Sequence, residues 1–321
     1  MASLPGKMLF WNGGTMKKIC KLLWGVFLLS CSSNAVEVPE EHGVTLNMFT
    51  EGAGNFSDYV QTLAIYAFRL TSDGDYVYDR TLADLTKEEI ETLENVSGRG
   101  NAKYYKGELA VGTYELYFVG NAARNIAGEF QKGVSRPEDI SIIGNGNGQD
   151  SVYFLGKLPL RVVADYIYPY EVTLKRVVSK VILVLDGVPA QVASIQLTLE
   201  NVASSYNLSG GVSSERITVE KTFINTNTDV GRRDTVVYEL LTLPTTGTRS
   251  PFSLTFTSRS GVEKVKEMPS LLLLPDKYFR LSGTINDAPG ALLSFDMSVT
   301  VSIFDKWGED KLPDFTVKPS I

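Results

Sequence analysis

Alternating apolar and polar residues recur in short runs every ten to fifteen residues along most of this chain, a spacing that restricts it to short strands joined by turns. Strand formers fill 62–70, a pair of strands flanks a turn at Gly112 (108–109 and 113–119), and further runs lie at 151–155 and 160–163. The second half is more uniformly strand-like, with runs at 177–185, 194–199, 216–219, 235–240, 252–257, 278–281 and 292–304. Asp186-Gly187 reads as the turn that ends the first of these. Two helical insertions are expected. In 85–93, Thr86 caps a first turn rich in acids, and Ile90 and Leu93 share a face; a second short turn falls within 122–131. Such strands pack as sandwiches. A boundary near residue 170, after Tyr168-Pro169-Tyr170, separates one β-sandwich at 44–170 from another at 171–321. Leu109–Tyr114 echoes Leu273–Tyr278, since in each a loop leads into a strand beginning with Tyr, which suits two similar domains.

The N-terminus bears on compartment. A basic segment, 16–21, precedes eight apolar residues, 22–29, too few to cross a bilayer but the length of a secretory signal core. Leu28-Leu29-Ser30-Cys31 resembles a bacterial lipobox, which predicts a signal peptide at 1–30, cleavage before Cys31 and lipid on its sulfur. Residues 1–15 do not fit a signal, and Met16 begins the pattern cleanly, so Met1 reads as a misplaced start. Residues 31–43 are polar and acidic, include Pro39, and read as a flexible tether.

Four of the 31 Lys and Arg precede Cys31 and all 37 acids follow it, so the mature chain carries a net charge of −10. That argues against nucleic acid and anionic lipid as partners. With Cys20 in the leader and Cys31 lipidated, no thiol remains for a disulfide, a metal site or a nucleophile.

Motifs for chemistry are weak. His42 is the one histidine and lies in the tether, so no His-based triad or metal site can be built. Gly144-Asn145-Gly146-Asn147-Gly148 lacks the spacing of a nucleotide loop and reads as a mobile hairpin loop. Asn225-Thr226-Asn227-Thr228-Asp229 offers oxygens at alternate positions, but Val230 and Val236 stand where a calcium loop needs Gly and Glu. The sequons at Asn55, Asn95 and Asn207 read as chance, and the acids of 88–94 as a solvated helix face. Tyr104-Tyr105 and the tyrosines at 166, 168 and 170 are of a type that stacks on sugars, but they read as residues of a half-buried sheet. No cofactor, no metal and no catalytic residue is expected.

Taken in order, the lipobox at Cys31, Gly112–Asn121, the basic-apolar Leu174–Val181 and the late Asp305-Lys306-Trp307 resemble FimB-like fimbrial anchor and accessory lipoproteins of the type V pilus system. The resemblance implies two tandem Greek-key, transthyretin-like β-sandwiches, and subunits that join by donor-strand exchange, a form of β-augmentation. Shaft subunits of that system are thought to lose a lipidated first strand to a trypsin-like protease. Here no Lys or Arg occurs between Cys31 and Phe68, so the strand is expected to stay. The reading is then an outer-membrane, surface-exposed lipoprotein, not an enzyme, that anchors a fimbria and limits its length through contact with a shaft or accessory subunit. Strand candidates for that contact are 44–49 and 314–318. A surface glycan-binding lipoprotein and a tip or adhesin subunit of the same system are the alternatives.

Overall fold

The computed structural model of the chain describes residues 40–321 except 52–53, 166–168, 246, 288–294 and 305–321. Its strands, in order, are β1 (Glu41–Thr50), β2 (Leu63–Leu70), β3 (Tyr76–Leu85), β4 (Ala102–Ala110), β5 (Gly112–Gly120), β6 (Ile126–Ala127), β7 (Ser141–Ile143), β8 (Phe154–Val162) and β9 (Tyr170–Arg176). There follow β10 (Ser179–Pro189), β11 (Val192–Ala203), β12 (Ser205–Asn207), β13 (Arg216–Ile224), β14 (Arg233–Thr242), β15 (Ser250–Ser258), β16 (Glu263–Leu271), β17 (Tyr278–Asp287) and β18 (Phe295–Phe304). Helices α1 (Phe56–Tyr59) and α2 (Lys87–Thr92) are short. The described residues are therefore all-β, with α1, α2 and two 3-10 turns, Ala123–Asn125 and Pro137–Asp139, inserted.

The sheets repeat one topology. In the first half the order is β3-β2-β5-β8-β9-β1-β4, with β8 and β9 joined through only two residue pairs, so that it folds into a β3-β2-β5-β8 layer and a β9-β1-β4 layer. In the second half one sheet is β13-β11-β15-β16 and the other β14-β10-β17-β18. Position for position, β1, β2, β3, β4, β5, β8 and β9 correspond to β10, β11, β13, β14, β15, β16 and β17. The two parallel pairings also correspond: β1 with β9 and β10 with β17. Consecutive strands cross repeatedly between layers, the Greek-key arrangement. β18 has no counterpart in the first half, and β6, β7 and β12 form a separate small sheet in the order β12-β7-β6.

Burial explains the strand sequences. In β2, Leu63, Ile65 and Ala67 pack into a core with Val44, Leu46, Met48 and Phe118, while Ala64, Tyr66 and Phe68 face a second core. From Leu63 to Phe68 that strand is buried without a break because both faces are covered. The second core continues to Val181, Leu183 and Leu185 of β10, Leu197 and Leu199 of β11, and Phe252, Leu254 and Phe256 of β15. Strict alternation survives in β8 and β15, where one face is solvated. Thr86 caps α2, with Glu89 reaching back to the Thr86 N–H at 2.8 Å, and Ile90 is buried.

Several sequence expectations change. β1 begins at Glu41, so the strand takes in residues 41–43, and His42 sits opposite Leu109 instead of in a tether. Runs 151–155 and 160–163 merge into β8. Asp186-Gly187 does not end its strand: β10 continues to Pro189 through a bulge between Leu185 and Val188, with Gly187 at φ +74. β9 pairs with β8 and β1, and β10 pairs with β14 and β17.

Candidate functional site: the first strand

β1 occupies the middle of its layer. It pairs antiparallel with β4 over nine positions, from Glu41 opposite Ala110 to Phe49 opposite Ala102. On its other side it pairs parallel with β9, from Leu46 opposite Tyr170 to Thr50 opposite Leu174. Val44, Leu46 and Met48 turn inward and are 3%, 0% and 0% exposed. Each such side chain contributes about 1.5–3 kcal/mol when fully buried. Without β1, β9 and β4 would have no strand between them, and a groove would run through the layer.

Both ends of β1 are tied down. At its start, the Glu41 carboxylate accepts from Arg80 of β3, and Arg80 also holds Asp79 at 3.1 Å. At its end, the Arg176 guanidinium donates to the Glu51 carbonyl at 3.1 Å and to Asp276 at 3.1 Å, while lying over the rings of Tyr59 and Phe154. Burial, with Asp276 close by, pushes the Glu51 carboxyl above the usual range.

Arg69 is the first basic residue after Cys31. It lies in β2, between Val77 of β3 and Tyr114 of β5. Its guanidinium donates to the Val111 carbonyl at 3.1 Å and rests over the Tyr114 ring. A protease needs its target peptide extended and free; this one is hydrogen-bonded in a sheet on both sides.

Cys31, residues 314–318, Asp305-Lys306-Trp307 and the tyrosines at 166 and 168 lie outside the described residues. Gly112–Asn121 is β5 and its exit. Asn121, at φ 62, accepts from the Gln61 and Thr62 N–H groups and donates to the Tyr59 and Val152 carbonyls, a clamp that sequence reading did not identify. A polar residue directly after a strand-ending Gly is the only signal for it. Leu174–Val181 is the end of β9 and the start of β10. The oxygens of Asn225, Asn227 and Asp229 each accept a backbone N–H two residues on, so this loop spends them on its own turns. Among the described residues no group of three His, Cys, Asp or Glu is placed to hold a metal ion. Tyr105 donates to the Leu82 carbonyl, Tyr170 donates to that of Arg161, and both rings are half-buried. Glu88, Glu89 and Glu91 of α2 are exposed.

The Gly144–Gly148 segment is not a hairpin loop. The Gly146 carbonyl accepts from Glu220 of β13 at 2.7 Å, and the Gln149 N–H donates to Leu241 of β14 at 2.7 Å. The segment thus spans the edge strands of both layers of the second sandwich, with Gly148 at φ +85 against Leu240.

Residues 30–310 match the family of fimbrillin-A associated anchor proteins Mfa1 and Mfa2. Among solved structures, the chain is similar to an adhesin candidate from Bacteroides thetaiotaomicron (TM-score 0.55, 15% identity, 83% of this chain and 97% of that one). It is also similar to the fimbrial anchor protein Mfa2 from Porphyromonas gingivalis (TM-score 0.51, 16% identity, 84% and 98%). A third structure, of a candidate polysaccharide-binding protein from Bacteroides thetaiotaomicron, shares the fold at 12% identity (TM-score 0.51, 76% and 92%). No curated protein matches the sequence.

Proposed function

We propose that this chain, which belongs to the fimbrillin-A associated anchor family, is a structural lipoprotein that fixes a fimbria to the outer membrane. In this reading lipid on Cys31 holds the chain, the segment from there to Glu40 is the tether, and a shaft or accessory subunit is met through strand contact. The observation that carries it is the state of β1. This strand is paired on both sides and buried in the core, and the chain between Cys31 and Arg69 offers a trypsin-like protease no site. A retained first strand keeps fold and lipid on one chain, which an anchor requires and a released shaft subunit does not.

The test is mild cross-linking of intact cells, followed by isolation of the protein from outer membranes. A ladder of heavier species containing a second fimbrial subunit supports the reading. Recovery of the protein alone, or with glycan-uptake proteins, contradicts it.

A further inference from the structure

The outer edge of β4 is covered along only part of its length. Tyr104 donates to the Glu94 carbonyl at 2.8 Å, and the Ala102 carbonyl accepts from Val96 at 3.2 Å. Alternation along a strand then turns the N–H and C=O groups of Lys106 and Glu108 to the same outer side. No described group bonds to them there. The side chains of both residues are exposed, and Gly107 lies between them.

We propose that this edge pairs with the same edge of a second copy of the chain, antiparallel about a two-fold axis through Gly107. That register sets Lys106 opposite Glu108 of the other copy, twice, and forms four backbone hydrogen bonds within two hydrogen-bonded pairs. At the centre the two Gly107 residues form a non-hydrogen-bonded pair, where Cα atoms approach to about 4.5 Å. Neither glycine carries a side chain to obstruct that approach. The ladder ends where Glu94 already occupies Tyr104.

Charge pattern selects this edge over the comparable edge of β16. There the exposed residues are Glu263, Val265 and Glu267, so pairing about Val265 would set Glu against Glu. The equivalent of β4 in the second sandwich, β14, is engaged by Gln149 at Leu241 alone, and pairing farther along about Val237 would set Thr235 against Glu239, with no opposite-charge pair. The inference does not depend on the anchor reading, since it uses only the first sandwich.

Charge reversal tests it, read by sedimentation of the purified full chain. Lys106→Glu and Glu108→Lys each place like charges across both pairs, and each is expected to weaken self-association about tenfold or more. The double variant restores the complementary pairs and is expected to return to the wild-type level. An equimolar mixture of the two single variants is expected to form a mixed dimer. All sites are exposed, so matching far-UV spectra and melting curves are expected to show intact folds. A wild-type chain that stays monomeric would overturn the proposal. So would single variants that associate as well as wild type, or a double variant that fails to recover.

Discussion

Arg176 and Asp276, one hundred positions apart, meet at 3.1 Å and join the last strand of the first sandwich to the turn that opens β17. The arginine side chain is 8% exposed and the aspartate 27%. Asp276 also adopts φ 59, a conformation that Asp tolerates better than most residues. Removing one partner leaves a largely desolvated charge. Arg176→Met is therefore expected to lower stability by about 2–4 kcal/mol in urea unfolding. Asp276→Asn, which suits the same backbone, is expected to cost less than Asp276→Val.

The Glu51 carboxyl beside this pair gives a pH signature. Its affinity for a proton is raised in the folded state, first by burial and then by Asp276. A raised carboxyl contributes stability that is complete below the unfolded value and is lost as pH rises through the folded one. Glu51→Gln removes that contribution. Between about pH 4 and pH 7, wild type is expected to lose stability relative to the Gln variant. Parallel pH profiles would refute this.

Gly148 is required by both its backbone and its surroundings. At φ +85, a Cβ would also lie 2.3 Å from the Leu240 Cδ1 and 3.1 Å from the Leu241 carbonyl. Gly148→Ala is expected to destabilise by more than about 1 kcal/mol, and amide exchange should quicken at Glu220 and Gln149, whose N–H groups fasten the segment. Gly133 has φ +74 but open space around it. Its Ala variant is expected to show the backbone cost alone.

The α2 cap is a local case. Thr86→Ala loses the side chain that accepts from the Glu89 N–H, at an expected cost of about 1 kcal/mol. The Glu89 carboxyl is held below its ordinary range by the Thr86 N–H and hydroxyl. Its contribution is present above the unfolded value and fades as pH falls through the folded one. Acid titration of the Thr86→Ala variant should show that dependence reduced.

These features differ in how far the sequence discloses them. α2 is legible because a capping box and an apolar face lie within eight residues. Most strands are legible from alternation against a core. β3 is not, because bulges at Ile65/Tyr66 and Ala67/Phe68 break its register and only Ala83 is buried. β16 is hidden for another reason: as an edge strand it carries Glu263, Lys264, Lys266, Glu267 and Pro269, residues that protect edges and read as loop. The role of Gly144–Gly148 is set by β13 and β14, over seventy residues downstream, and nothing local reports it. The duplication was visible only as an echo between Tyr114 and Tyr278. The topology instead makes Tyr170, which opens β9, the counterpart of Tyr278, which opens β17.

For the proposed function, the strand that matters is β1, and its retention is directly measurable. The intact mass of the protein extracted from outer membranes gives both its N-terminus and its modification. The expected chain starts at an acylated Cys31 and includes Glu41–Thr50. A chain that begins after Arg69, or an unmodified Cys31, would contradict the proposed function.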